Sequence, residues 1–186
     1  MNNLIEESGG KVTGWGMALG TETVTNADLA AKMDTSNEWI LERTGISERR
    51  IGGSTAGLAV RAGKQALEMA GVNATEIDLL ILATTTPDEQ VPATSANVQD
   101  QLGLTCGAMD LNAACSGFVY SLVTGFGFLK LGFKRILIIG SETLSRITDW
   151  DDRSTAILFG DGAGAVVIEA EEGNGDLLGW NLGCEG

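Results

Sequence analysis

The run at 110–121 (DLNAACSGFVYS) holds the residue best equipped for chemistry in this chain, Cys115. Ala113, Ala114, Ser116 and Gly117 flank it, so the backbone can turn sharply there and a substrate can approach closely. The pattern predicts the end of a strand, a tight junction and the first turns of a helix. A thiol at a helix start meets the positive end of the helix dipole and N–H groups without an intrahelical acceptor. Both favour the thiolate, which is the nucleophilic form. A buried structural cysteine is the competing reading, because free Cys packs as a small hydrophobe.

A second constellation lies upstream. The run 35–46 (TSNEWILERTGI) predicts a helix capped by Ser36 and stopped at Gly45. Trp39 and Arg43 are four apart on it and share a face. An arginine beside an indole can grip a flat, phosphate-bearing ring by stacking and charge. The same spacing also fits a half-buried Trp covered by an Arg stem. A third motif, 160–165 (GDGAGA), invites a dinucleotide-binding reading that its spacing excludes. It is G-x-G-x-G, and a β-branched run follows where a helix should open. It predicts a tight loop into a strand, packed near the nucleophile.

The elements that must position these groups alternate. Strands are expected at 11–19, 77–86, 106–111, 135–140 and 163–170, and helices at 25–33, 35–45, 54–70, 94–102 and 115–131. Thr25 caps the first helix, Ser54 or Thr55 the third, and Thr94 or Ser95 the fourth. Tyr120, Val123, Phe126 and Phe128 read as core contacts of the last. Residues 87–92 hold both prolines and form a loop, 145–153 a polar loop, 173–175 a turn, and 176–183 the start of another strand. The apolar runs at 77–86 and 135–140 have the character of buried parallel strands. The fold class is therefore α/β, a five-stranded, mostly parallel sheet with helices on both faces, in one domain.

Composition bounds the function. A chain of 186 residues, 44% hydrophobic with 2 prolines, is globular. Its 26 glycines are scattered rather than repeated. A net charge of -13 and a pI near 4.3 argue against nucleic acid and against an anionic membrane surface. No apolar run approaches the ~18 residues of a membrane span. The N-terminus lacks a basic start and an apolar core, so it does not read as a secretory signal. Cys106, Cys115 and Cys184 make an odd count without a C-x-x-C pair, which suits a reducing, cytoplasmic setting. With no histidine and no clustered thiols, no metal site is expected.

Four segments together carry a resemblance: 35–46, 110–122, 149–153 (DWDDR) and 159–165 (FGDGAGA). In this order they resemble the N-terminal half of a β-ketoacyl-acyl-carrier-protein synthase III, a condensing enzyme with the thiolase-like fold. The resemblance covers essentially the whole chain. It implies residues 1–175 as a thiolase-like domain with a nucleophilic Cys, and 176–186 as the start of a truncated C-terminal half. It implies that Cys115 takes an acetyl or other short acyl group from acyl-CoA, which serves as substrate, with no cofactor. Trp39 and Arg153 would stack on either side of the adenine, with Thr35 and Arg43 nearby. Phe159 would line the active-site tunnel, and Val91 would reach across a homodimer two-fold to the partner's acyl pocket. An acyl carrier protein would deliver malonate, whose decarboxylated carbanion attacks the acyl-Cys. The family holds that enolate with a His and an Asn, and this chain contains no His. A polyketide-starter enzyme, another condensing enzyme of the superfamily, or a non-catalytic half-subunit would share these features.

Overall fold

In the computed structural model, which describes residues 8–173 and 175–185, the chain runs β1 (Ser8–Leu19), β2 (Glu22–Thr25), α1 (Asn26–Ala30), α2 (Asn37–Thr44), β3 (Glu48–Ile51), α3 (Thr55–Ala70), β4 (Leu79–Ala83), α4 (Thr94–Leu102), β5 (Gly107–Leu111), α5 (Gly117–Lys130), β6 (Arg135–Thr143), α6 (Arg153–Ala156) and β7 (Asp161–Glu172). Residues 1–7, which carry the reading against a secretory signal, and Asn174, within the expected turn at 173–175, lie outside the described residues.

β1, β7, β6, β4 and β5 form one sheet in that order. Its five strands and its two helical faces match the expectation, but its pairing is evenly mixed rather than mostly parallel. β4 pairs parallel with both β5 and β6, whereas β7 pairs antiparallel with both β6 and β1. The segment between β6 and β7 reverses the chain instead of crossing over the sheet, so β7 returns beside its predecessor. Period-two alternation divides the core. Leu80, Leu82, Leu137, Ile139 and Val167 face α3 and α4. Leu79, Ile81, Ile136, Ile138 and Ile168 face Phe126 and Leu129 of α5. All ten are buried, which is why both runs looked uniformly apolar in sequence.

Local signals explain most boundaries. Thr25 and Asp28 form a capping box at α1, although that helix is shorter than expected. Ser36 caps α2 and Ser54 caps α3, and Gly45 and Gly71 end them with φ of 70° and 67°. α4 departs from the expectation: neither Thr94 nor Ser95 caps it through its own side chain. Their backbone N–H groups instead donate to the Asp110 carboxylate at 3.0 and 2.7 Å. The two-stranded sheet of β2 and β3 was not anticipated. Residues 175–185 contain no strand, contrary to expectation. Asp176 N donates to Gly10 O at 2.7 Å, its carboxylate accepts from Val12 N, and Leu177 joins the core beneath α5. Trp15 and Met17 of β1 and Val119 of α5 are exposed.

Candidate active site

The parallel strands β4, β5 and β6 end on one side of the sheet, the side where open α/β sheets commonly present ligand crevices. β5 stops at Leu111, and after a short 3-10 turn over Ala114–Ser116 the chain enters α5. Asn112 Oδ1 accepts from Ala114 N at 3.2 Å. Ala114 has φ 47°, the one non-glycine residue in the left-handed region among the described residues. Such a conformation costs about 1–3 kcal/mol, and here it turns the chain sharply enough to bring Cys115 to the surface. Gly117 lets α5 start against the sheet, since a Cβ there would stand 3.3 Å from Ala83 Cβ.

Cys115 is exposed and lines a cleft of 430 Å³. Phe118 and Phe159 supply its aromatic walls, and Gly162, Ala163 and Gly164 of β7 leave its floor almost free of side chains. The motif at 160–165 is therefore strand from Asp161 onward, not the loop expected. Gly160 alone precedes the strand, pressed against β3, where a Cβ would lie 2.8 Å from Arg50 O.

Glu142, at the end of β6, lines the same cleft. Its carboxylate accepts from Thr85 N at 2.7 Å, from Thr85 Oγ1 at 3.1 Å and from Thr86 Oγ1. It anchors the chain leaving β4. Arg146 adds to that anchor, donating to Thr86 O and Pro87 O at 2.7 and 2.9 Å. Sequence reasoning missed Glu142, because one acidic residue after an apolar strand resembles a solvated strand end.

The second constellation assembles around Trp39. The Arg43 guanidinium carbon lies 4.2 Å from its ring centroid and that of Arg153 lies 5.0 Å away. Trp39 is half-buried beside Ile40 and Ile157, and both arginines are exposed. Arg153 Nη1 donates to Asp34 O at 2.6 Å and approaches Asp34 Oδ2 at 3.5 Å. Thr35 is adjacent in sequence, and its buried hydroxyl has no partner among the described residues. The two constellations are linked by α6, since Arg153 precedes Phe159 by six residues. Thr35, Trp39, Arg43 and Arg153 do not line the Cys115 cleft, and neither does Val91. Val91 is 83% exposed on the loop between β4 and α4, next to the cis Pro92.

Among the described residues no group of three or more His, Cys, Asp or Glu side chains is arranged to hold a metal ion. No described helix is long and apolar enough to cross a membrane. The geometry therefore offers an accessible thiol at a strand–helix junction, a cleft with a bare floor, and a separate aromatic–guanidinium cluster.

Comparison with known proteins bears on the sequence and the fold. Residues 109–186 match the family described as 3-oxoacyl-[acyl-carrier-protein (ACP)] synthase III. A β-ketoacyl-[acyl-carrier-protein] synthase III of Bradyrhizobium diazoefficiens is 57% identical over 166 residues, covering 87% of this chain and 51% of that protein. One from Erythrobacter litoralis is 54% identical over 173 residues, covering 90% and 54%. Among solved structures, the 3-oxoacyl-[acyl-carrier-protein] synthase III of Aquifex aeolicus superposes with a TM-score of 0.86 at 48% identity, over 88% of this chain and 55% of that one. The priming β-ketosynthase of the R1128 polyketide pathway superposes at 0.87 with 34% identity, over 92% and 53%. The chain spans about half the length of the curated relatives it matches. In sequence and in its thiolase-like α/β fold, this chain is similar to about half of a β-ketoacyl-[acyl-carrier-protein] synthase III.

Proposed function

We propose that this chain carries the acyl-transfer half of a condensing enzyme that starts fatty acid synthesis. In the whole protein an acetyl group, or another short acyl group, passes from acyl-CoA to Cys115 and is then joined to malonyl-carrier protein. The observation that carries this reading is the exposed Cys115 thiol in a cleft whose floor is glycine and alanine. A flat thioester can reach such a thiol without a side chain in its path.

Cys115 Sγ attacks the thioester carbonyl. A new S–C bond forms as the C–S bond to CoA breaks, and the proton lost by the Cys115 thiol ends on the departing CoA thiol. Thioester is exchanged for thioester, so the acyl group stays activated. The backbone N–H of Cys115 itself is suited to help hold the tetrahedral oxyanion. Trp39 and Arg153 hold the adenine, with Arg43 and Thr35 beside it. A ring between Trp39 and Arg153 needs about 7 Å, twice a stacking contact. The Arg153 guanidinium carbon stands at 5.0 Å, so its side chain swings back by about 2 Å as the nucleotide enters. Phe159 lines the acyl path, and Val91 serves the partner's acyl pocket across the two-fold of a cytoplasmic homodimer. Acyl-CoA is a substrate, and neither metal nor cofactor takes part.

Formation of the carbon–carbon bond uses an enolate-stabilising His that these 186 residues do not contain. A polyketide-priming role is the second reading, favoured by the likeness to the R1128 priming enzyme. The test of acyl transfer is release of free CoA thiol on mixing the chain with acetyl-CoA. One equivalent per chain is expected, lost in Cys115→Ser. Release that survives in Cys115→Ser, or none from the unaltered chain, contradicts the reading. Preference for a bulky starter acyl-CoA over acetyl-CoA would favour the priming role.

A further inference from the structure

Arg49 is a charged side chain in the interior of the molecule, 4% exposed, on the short strand β3. Among the described residues no carboxylate pairs with it. Its guanidinium is spent on neutral acceptors. Nε and Nη2 both donate to the backbone carbonyl of Ile157, at 3.0 and 2.6 Å. Nη1 donates to Asn26 Oδ1 at 2.6 Å. Asn26, itself 2% exposed, passes the network on: its Nδ2 donates to Asn37 Oδ1 at 3.0 Å and to Ile46 O at 2.9 Å.

The ends of this network are what give it meaning. Ile157 is the C-cap of α6, the four-residue helix that begins with Arg153. Asn37 is the first residue of α2, which carries Trp39 and Arg43, and Ile46 lies just beyond that helix. One buried guanidinium and one buried amide thus join the two segments that form the aromatic–guanidinium cluster. These segments are more than a hundred residues apart in sequence. Burying a cation without a counter-ion is costly, and an apolar residue of similar volume commonly serves stability as well or better. What the planar fork provides, and an apolar side chain does not, is fixed direction: two parallel N–H groups hold one carbonyl and a third holds the amide.

We propose that Arg49, acting through Asn26, is a positioning residue that sets the separation of Trp39 and Arg153 and so their grip on the nucleotide of the acyl donor. This rests on the reading of that cluster as the CoA site. Arg49 touches neither donor nor thiol in this account; it governs the gap into which the adenine goes. A misplacement of about 1 Å in a binding group can cost up to a hundredfold. The effect belongs only to donors that carry the nucleotide.

Two donors with the same thioester separate the possibilities: acetyl-CoA and acetyl-pantetheine, which lacks the nucleotide. The measured quantity is the ratio of their rate constants for acetylating Cys115 in the 186-residue chain. A ratio is insensitive to the fraction of a variant that is folded. The unaltered chain should favour acetyl-CoA, and Trp39→Ala should bring the ratio close to one. Arg49→Met and Asn26→Ala should each lower it about tenfold, with acetyl-pantetheine rates per folded chain unchanged. Arg49→Lys, which keeps the charge but not the fork, should fall between. If Trp39→Ala lowers the ratio while Arg49→Met and Asn26→Ala leave it as it was, the positioning role is overturned and the CoA reading stands. If the unaltered chain shows a ratio of one, both are overturned.

Discussion

Gly125 and Gly127 lie two residues apart on α5, yet alanine should stabilise the chain at Gly127 and not at Gly125. Either substitution gains about 0.8–1 kcal/mol of helix propensity. At Gly127 a Cβ meets nothing within 4 Å, so that gain stands alone and the variant should be more stable by about 1 kcal/mol. At Gly125 a Cβ would stand 2.7 Å from Ile138 Cδ1 and 3.0 Å from Ile168 Cδ1. Both isoleucines are 0% exposed and have little room to retreat. Overpacking of this kind costs about 1–3 kcal/mol, so the net effect at Gly125 runs from neutral to about 2 kcal/mol destabilising. For a domain of this size each kcal/mol moves the melting midpoint by about 2–4 °C, so the two variants should differ by several degrees. Thermal unfolding followed by circular dichroism, with the unaltered chain alongside, measures it. If Gly125→Ala is as stabilising as Gly127→Ala, α5 is not seated on Ile138 and Ile168. The placement of Cys115 two residues before α5 would then fail with it.

Trp39→Ala should weaken binding of CoA by about fivefold to a hundredfold, the worth of one base stacked on an aromatic ring, in titration calorimetry. Unchanged affinity would return Trp39 to the status of a covered core residue. With limiting iodoacetamide, peptide mapping should find Cys115 labelled ahead of both other cysteines and Cys106 last, because burial raises the Cys106 thiol pKa; equal labelling of all three would count against the nucleophile. The carboxyls of Asp28, Glu76 and Asp152 lie below their ordinary values, owing chiefly to the Thr25 hydroxyl, the Asn73 backbone N–H and the Ser154 hydroxyl respectively. A native pKa below the unfolded one gives stability that is complete above the unfolded value and lost as pH falls through the native one. The urea midpoint should therefore drop on acidification from neutrality toward about pH 3, less steeply in Glu76→Gln. Identical slopes would contradict the Glu76 assignment.

The parts of this molecule legible in sequence are those set by local chemistry. The caps at Ser36 and Ser54 and the left-handed glycines at 45 and 71 lie within or beside the elements they bound, so α2 and α3 could be drawn almost to the residue. Cys115 declares itself by its small neighbours, and Trp39 and Arg43 by helical spacing. The parts that sequence hides depend on distant partners. β2 and β3 (ETVT and ERRI) are short and largely polar and drew no expectation, and Arg49 is interior because its acceptors come from 23 and 108 residues away. The cap of α4 is a carboxylate on the next strand, with no signal near Thr94. Glycines at 162 and 164 suggested a loop, since nothing local shows that a cleft requires a strand without side chains there. The mixed pairing of the sheet is likewise a property of how β7 returns beside β6, and both strands look alike whether parallel or not.

The most direct measurement is to map the acyl group by mass spectrometry after the 186-residue chain has been incubated with acetyl-CoA and malonyl-carrier protein. One acetyl group is expected, on the peptide containing Cys115, and no acetoacetyl-carrier. Acetyl on Cys106 or Cys184, or on none of the three, would contradict the nucleophile. Acetoacetyl-carrier formed by this chain alone would contradict the division of labour, and would require an enolate stabiliser among residues that include no histidine.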